Sequence, residues 1–265
     1  MNNKIIDFHA HIFPEKIAAK ASASIGEFYS TDMAGNGTVE DLLQKGKEVN
    51  IVKYVVHSTA TKADQVSAVN DFIRAACDSN DEFIGFGTLH PDFRDLDAEC
   101  ERMRSFNLKG IKLHPEFQGF SIDDSSMMDI YKICERRFPV LIHVGDNNLD
   151  SSNPRRLLRI IEEFPDLTII AAHLGAYRIW DDSSHVLADS KVYFDTSSSL
   201  YYLEPEKATE IIRRLGTDRI VFGTDYPMWS HESEMRRFKL LGLNEVEREN
   251  ILWKNAARLL KLNEF

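Results

Sequence analysis

Ile5-Ile6-Asp7-Phe8-His9-Ala10-His11 is a run of β-branched and aromatic residues that ends in two histidines spaced by two, and the rest of the chain is read outward from it. Residues two apart point to the same side of a strand, so a strand here presents both imidazoles to one point in space. A His-x-His pair alone is a weak signal; its weight comes from what recurs downstream. Runs of the same kind follow at Tyr54–Ser58, Ile84–Leu89, Gly110–His114, Val140–Val144, Thr168–His173, Val192–Thr196 and Ile220–Thr224, which with Ile5–His9 makes eight. Segments of helical periodicity separate them. That alternation predicts a parallel sheet, and eight repeats predict its closure into a (β/α)8 TIM barrel. The C-terminal strand ends of such a barrel converge on one face, so His9, His11, His143, His173 and Asp225, each at or just past a predicted strand end, are expected to meet.

The segments between the runs carry helix signals of their own. Asn153 is placed to cap a helix with Pro154 in its first position, Leu157, Leu158, Ile161 and Phe164 form its apolar face, and Pro165 stops it. Thr38 with Asp41 resembles a capping box ahead of Leu42 and Leu43. Residues 12–37 exceed an ordinary strand-to-helix connection; part of that stretch, Glu15 to Phe28, has helical character, and the whole reads as a lid inserted after the first strand. Ile251–Leu260 reads as a last amphipathic helix on the barrel's outside. A length of 265 residues fits one barrel domain over 1–265.

Composition narrows the function. The formal charge of −10 opposes a nucleic-acid partner, since affinity for a phosphate backbone comes from Lys and Arg displacing counterions. A small anionic substrate is compatible with it, because one or two cations in a pocket outweigh a diffuse surface field. Cys77, Cys100 and Cys134 have no Cys-x-x-Cys spacing and read as reduced core thiols. No run approaches membrane-spanning length and the start runs straight into a strand, so a cytoplasmic protein with no membrane partner is expected.

Each candidate has an ordinary reading beside the chemical one. A strand-end histidine can simply bond a loop carbonyl, and an aspartate there can cap the next helix. Agreement among four strands weighs against that. Lys112 and His114, in Gly110-Ile111-Lys112-Leu113-His114-Pro115, share a face by the same two-residue period and should look into the site. Lys112 is read first as the cation for a substrate carboxylate, then as a structural partner of an acid or a carbamylated bridge between two metals. His114 is read as a substrate hydrogen-bonding residue or a second-metal ligand. Tyr177 and Arg178 follow His173 closely enough to reach substrate, and Asp195 is placed either to support the metal or to cap. His57 and His90 read as pocket liners without a task, His185 and His231 as surface residues, and Tyr201-Tyr202 as packing.

Asp7-Phe8-His9-Ala10-His11, Leu141-Ile142-His143, Ala172-His173-Leu174-Gly175 and Phe222-Gly223-Thr224-Asp225-Tyr226-Pro227 together resemble, in type and order, the amidohydrolase superfamily. They are most similar to its amidohydrolase-related branch, which includes aminocarboxymuconate-semialdehyde decarboxylase, related aromatic-acid decarboxylases and lactone hydrolases. The resemblance spans nearly the whole chain. It implies the barrel, one divalent metal per chain that is usually zinc (manganese or iron being the other candidates), and His9, His11, His143 and Asp225 as ligands. It also implies contact of His173 with the metal-bound water or the substrate, and by analogy a homodimer.

On that basis the leading expectation is a metal-dependent hydrolase of a small carboxylated amide, ester or lactone, with His173 and Asp225 as catalytic residues. Zinc lowers the pKa of a coordinated water from about 15.7 to near 7, which supplies a nucleophile at neutral pH. The alternative is a non-oxidative decarboxylase of an aromatic or enoic carboxylic acid, which needs the same ligands. A deoxyribonuclease of the TatD type shares the His-x-His strand and the Thr-Asp-x-Pro segment. That family expects a Gly-Glu-Ile-Gly-like strand near mid-chain, where this sequence has Gly110-Ile111-Lys112. A non-catalytic metal-binding module is the remaining class.

Overall fold

The computed structural model describes residues 4–262. Eight parallel strands run in sequence order: β1 (Ile5–His11), β2 (Ile51–His57), β3 (Phe83–Thr88), β4 (Gly110–Leu113), β5 (Val140–Ile142), β6 (Ile169–Ala171), β7 (Tyr193–Asp195) and β8 (Ile220–Val221). The first and last are joined: Phe8 N donates to Phe222 O at 2.8 Å, Asp225 N to His9 O at 2.8 Å and His11 N to Tyr226 O at 2.7 Å, so neither is left as an open edge. The expected (β/α)8 barrel is the fold.

Helices alternate with the strands. They are α1 (Glu15–Tyr29), α2 (Val39–Lys47), α3 (Val66–Asp78), α4 (Leu96–Ser105), α5 (Pro115–Gln118), α6 (Met128–Cys134), α7 (Pro154–Glu163), α8 (Trp180–Val186), α9 (Pro205–Leu215), α10 (His231–Leu240), α11 (Glu245–Glu249) and α12 (Asn255–Leu259). Asn153 caps α7 through Arg155 N, with Pro154 at its first turn. At α2, Thr38 accepts from Asp41 N, but Asp41 does not reach back to Thr38; its Oδ2 takes Asn36 N and the Tyr226 hydroxyl, because a carboxylate one methylene shorter than Glu falls short of the cap. None of these helices is long and apolar enough to cross a membrane. Cys77, Cys100 and Cys134 are free, the last two buried.

Two apolar clusters form the interior. The larger packs strands against the surrounding helices. The smaller, with Ile6, Phe8, Val55, Ile84, Phe86, Leu141 and Ile170, also takes in Ala256 and Leu260 from the C-terminal segment. That helix was expected on the outside. Its Ile251 and Leu252 do join the larger cluster, while Ala256 and Leu260 cover the residues where the strands begin, whose apolar side chains need a cover there. Gly46 marks how closely α2 approaches β2, since a Cβ on it would overlap the Tyr54 hydroxyl at 1.7 Å.

The strands stop short of their expected ends in the second half of the barrel, and His143, His173 and Asp225 lie just past them. His173 (φ 60°) and Asp225 (φ 63°) are in the left-handed region, which no strand contains. The chain turns out of the sheet at these residues and aims their side chains over the barrel mouth. Side chains of α1, inside the long 12–37 connection, form one wall of the cavity there.

Candidate functional site

A cavity of about 670 Å³ opens over the strand ends, within the size range of small-molecule sites. His9, His11, Lys112, His143, His173 and Asp225 form its polar floor; Ile17, Ile25, Met33, Phe72, Phe117 and Met228 are among its apolar walls.

The floor is organised by hydrogen bonds that fix which ring nitrogens are free. His9 Nδ1 lies 2.7 Å from Asp195 Oδ2, and a carboxylate only accepts, so Nδ1 carries the proton and Nε2 keeps its lone pair. That Nε2 lies 3.3 Å from His11 Nε2 and 3.3 Å from Asp225 Oδ1, while His11 Nε2 and Asp225 Oδ1 are 3.4 Å apart. A tetrahedral ion with bonds of about 2.0–2.1 Å places its donors about 3.4 Å apart. The three atoms therefore fit the corners around one divalent cation.

His143 and His173 repeat the logic one strand further round. His143 Nε2 donates to Gly145 O at 2.9 Å and His173 Nδ1 to Ser197 O at 3.0 Å, since a carbonyl only accepts. This leaves lone pairs on His143 Nδ1 and His173 Nε2, which face each other at 2.9 Å. Two lone pairs at that distance repel unless a proton or a cation lies with them. The structure brings His9, His11, Asp225 and His173 into one cluster, while His143 meets it through His173.

Electrostatics keep three of the imidazoles neutral. Burial pushes His11 down to about 3 and His173 to about 4, and holds His143 well below the ordinary range. Burial acts to raise Asp225, but the imidazoles of His9 and His11 overcome it and hold the carboxyl well below its usual value. In the same way His9 outweighs burial and holds Asp195 at about 2. Neutral nitrogens beside two carboxylates are what a cation needs.

Lys112 is buried, and its Nζ lies 3.0 Å from His9 Nε2. Burial lowers it to about 8, against the opposing pull of Asp225 and Asp195. Among the described residues it pairs with no carboxylate, so the reading of Lys112 as an acid's structural partner does not match its surroundings. His114 also faces the cavity, stacked between Phe117 and His143 with centroids 3.9 and 4.2 Å away. Its Nε2 is 2.9 Å from the Tyr29 hydroxyl of α1, and its Nδ1 is 3.4 Å from Glu116 Oε2. Ser151 and Ser152 hold the other oxygen of Glu116 at 2.8 and 2.5 Å.

Other expectations sort by position. Tyr177 is buried against Tyr29, His143 and His173. Arg178 is exposed, outside the cavity lining, with its guanidinium 5.0 Å over the Tyr202 ring. Asp195 supports the floor rather than capping a helix: its Oδ1 accepts from His173 N and Ser197 N while Oδ2 holds His9. His57 and His90, read as pocket liners, are both buried outside the cavity lining, and His90 accepts from Asp92 N. His185 is exposed and Tyr201 half-exposed. The surface reading of His231 is corrected: it is fully buried and bonds Asp7 Oδ2 at 2.9 Å. Its neighbours Ser230, Glu232 and Ser233 make the stretch look solvated, but Asp7 also accepts from His9 N, Thr224 N and the Thr224 hydroxyl, and His231 completes that buried cluster.

Sequence reading missed Tyr29, Glu116, Ser197 and Ser198. Ser197 Oγ lies 3.0 Å from His9 Nδ1, 2.9 Å from His173 Nδ1 and 2.5 Å from Asp195, and Ser198 Oγ donates to Asp225 Oδ2 at 2.5 Å. The run Ser197-Ser198-Ser199 directly after Asp195 was the available signal; nothing local marks Tyr29 or Glu116.

Among curated proteins, the chain is 27% identical over 121 residues to gamma-resorcylate decarboxylase of Polaromonas sp. (strain JS666 / ATCC BAA-500), covering 39% of this chain and 37% of that protein. It is 35% identical over 63 residues to 2-amino-3-carboxymuconate-6-semialdehyde decarboxylase of Caenorhabditis elegans, covering 23% of this chain and 16% of that one. The matches thus span well under two thirds of either relative. Among solved structures, an uncharacterized TIM-barrel protein from Bordetella bronchiseptica superposes with a TM-score of 0.80 at 22% identity, covering 97% of this chain and 98% of its own. A dihydroxybenzoic acid decarboxylase from Polaromonas sp. JS666, with bound manganese and the inhibitor 2-nitroresorcinol, superposes with a TM-score of 0.76 at 18% identity, covering 99% and 98%. These structures share the barrel. The family described as Amidohydrolase matches residues 6–262, essentially the whole chain, and the protein belongs to it.

Proposed function

We propose that the protein is a metal-dependent enzyme that decarboxylates a small aromatic or enoic carboxylic acid without oxidation. The observation that carries this reading is the floor of the cavity, where Nε2 of His9 and of His11 converge with Asp225 Oδ1 beside a buried ammonium, Lys112, that lacks an acidic partner among the described residues. Hydrolysis of a carboxylated amide, ester or lactone, which the sequence placed first, draws on the same floor. The names of the two curated relatives favour decarboxylation.

His9, His11 and Asp225 would hold the ion, with His143 Nδ1 as the fourth donor. Zinc is the expected ion, and the manganese in the Polaromonas structure supports a divalent metal in general. When bound, the ion withdraws charge from an oxygen of the substrate. Lys112 Nζ holds the substrate carboxylate, and the apolar walls accommodate a flat ring while keeping water away from it. As the bond to the carboxyl carbon breaks, carbon dioxide leaves and its electron pair stays on the ring carbon, which takes a proton. Asp225, an ionised carboxylate beside Ser198 Oγ, and His173 Nε2, a lone pair on a ring beside Ser197 Oγ, would first take that proton from the substrate's own hydroxyl or from solvent and then deliver it to the carbon.

The test is a metal analysis of purified protein followed by a screen of gamma-resorcylate, other hydroxybenzoates, and carboxylated lactones, esters and amides, recording carbon dioxide and ring or bond opening separately. Metal-dependent carbon dioxide release is expected. Opening of a lactone, ester or amide with no carbon dioxide would replace this reading with the hydrolytic one.

A further inference from the structure

His57 ends β2 fully buried, and neither of its ring nitrogens has a hydrogen-bond partner among the described residues. A neutral imidazole carries one N–H and one lone pair, and a buried ring that satisfies neither points to a partner outside the polypeptide. The sheet register says where that partner sits. His57 is the Cα partner of His11 across β1 and β2. Its ring stands edge-on to His11, with centroids 4.4 Å apart at 87°, and to His9, at 4.9 Å and 73°. One of its nitrogens lies within 4.8 Å of the ligating nitrogens of both.

We propose that His57 is a further direct ligand of the divalent ion held by His9, His11 and Asp225, an inference that rests on the metal centre argued above. Three histidines of the floor are fixed in place: Asp195 holds His9, Gly145 O holds His143 and Ser197 O holds His173. His57 has no such anchor. Its ring can turn toward the ion without breaking a hydrogen bond, which is the freedom a nitrogen already within 4.8 Å of those of His9 and His11 needs to reach ligand spacing. A histidine kept only for packing would be a poor choice here, since a leucine fills similar space and leaves no nitrogen unsatisfied.

Cobalt(II) is the probe, loaded into the full chain and into His57→Leu and His57→Asn variants whose folding is checked by circular dichroism in the metal-free form. X-ray absorption at the cobalt edge counts the imidazoles around the ion, and competition with a chromophoric chelator gives its affinity. We expect the wild-type ion to show His57 beside His9, His11 and His143, and each variant to show one imidazole fewer. Binding in the variants should weaken by more than about 100-fold, beyond the roughly 10- to 100-fold typical of a residue that merely supports ligands. An unchanged imidazole count in a folded variant would overturn the proposal and leave the metal centre intact. If both variants misfold, a wild-type spectrum that accounts for His9, His11 and His143 alone overturns it equally. A wild-type chain that takes up no ion removes the metal centre itself, a failure distinct from the loss of His57.

Discussion

Asp195 decides which nitrogen of His9 is free, and so decides whether His9 can bind an ion at all. Its Oδ2 accepts a hydrogen bond from Nδ1–H at 2.7 Å. An asparagine there can present its amide N–H instead, which favours the wrong tautomer. Asp195→Asn should weaken metal binding about 10- to 100-fold in a chelator competition while the barrel stays folded; unchanged affinity would refute the tautomer argument. Lys112, as proposed above, would act on the substrate carboxylate. Lys112→Met removes a charge-assisted contact worth roughly 2–4 kcal/mol, or about 30- to 1000-fold in kcat/KM on a carboxylated substrate. Metal content should be unchanged. Loss of metal in step with activity would make Lys112 a ligand or bridge instead. Both residues were legible before the structure, Lys112 through its two-residue spacing from His114 and Asp195 through its strand end. Tyr29 and Glu116 were not, because a tyrosine on an amphipathic helix and a glutamate after a proline carry no local mark of what they will face.

Between elements, the turn after β5 is the most constrained connection at the site. Gly145 has φ 93°, its carbonyl anchors His143, and a Cβ on it would lie 2.3 Å from Tyr177 N and 2.5 Å from Ala176 C. Both are backbone atoms and cannot swing away. Gly145→Ala should cost about 1–3 kcal/mol in denaturant unfolding and also weaken metal binding through His143; a variant as stable as wild type would show that the turn adapts. In α10, Glu234 is buried with Arg237 on one oxygen at 2.5 Å and, among the described residues, no hydrogen-bond partner on the other. Burial outweighs the ion pair and raises the carboxyl from 4.5 to about 8. The unfolded chain therefore releases this proton first, so the group's contribution is full below about pH 4.5 and is lost as pH rises through about 8. Glu234→Gln should flatten the fall in thermal midpoint over that window, and an unchanged slope would assign the fall to other groups. The helix positions were readable from caps and periodicity. The strand ends were overestimated because propensity does not register a left-handed turn at His173 or Asp225.

Across the whole molecule, the ion's site is assembled from β1 and from the turns after β5 and β8, so an ion that binds there recognises the closed barrel and not the unfolded chain. An ion present at about 100 times its dissociation constant stabilises such a fold by about 2.7 kcal/mol, or roughly 5–10 °C in thermal midpoint for a chain of this size. Calorimetry with and without a chelator should show that loss, with recovery on adding the ion back. No shift in a protein that demonstrably carries metal would mean that the closed barrel does not build the site. At this scale the sequence alone determined the class of architecture, since eight apolar runs alternating with amphipathic segments have few other ways to bury their surface. It also marked most of the site's floor, because a parallel barrel gathers its C-terminal strand ends on one face whatever the loops do. What the tertiary structure alone decided is how those residues are held: Ser197 against both His9 and His173, Tyr29 reaching His114, His57 beside His11, and His231 buried on Asp7. These contacts join residues up to 224 positions apart. Periodicity reports only neighbours within a turn or a strand, and which side chain meets which across a closed barrel is set by register and packing.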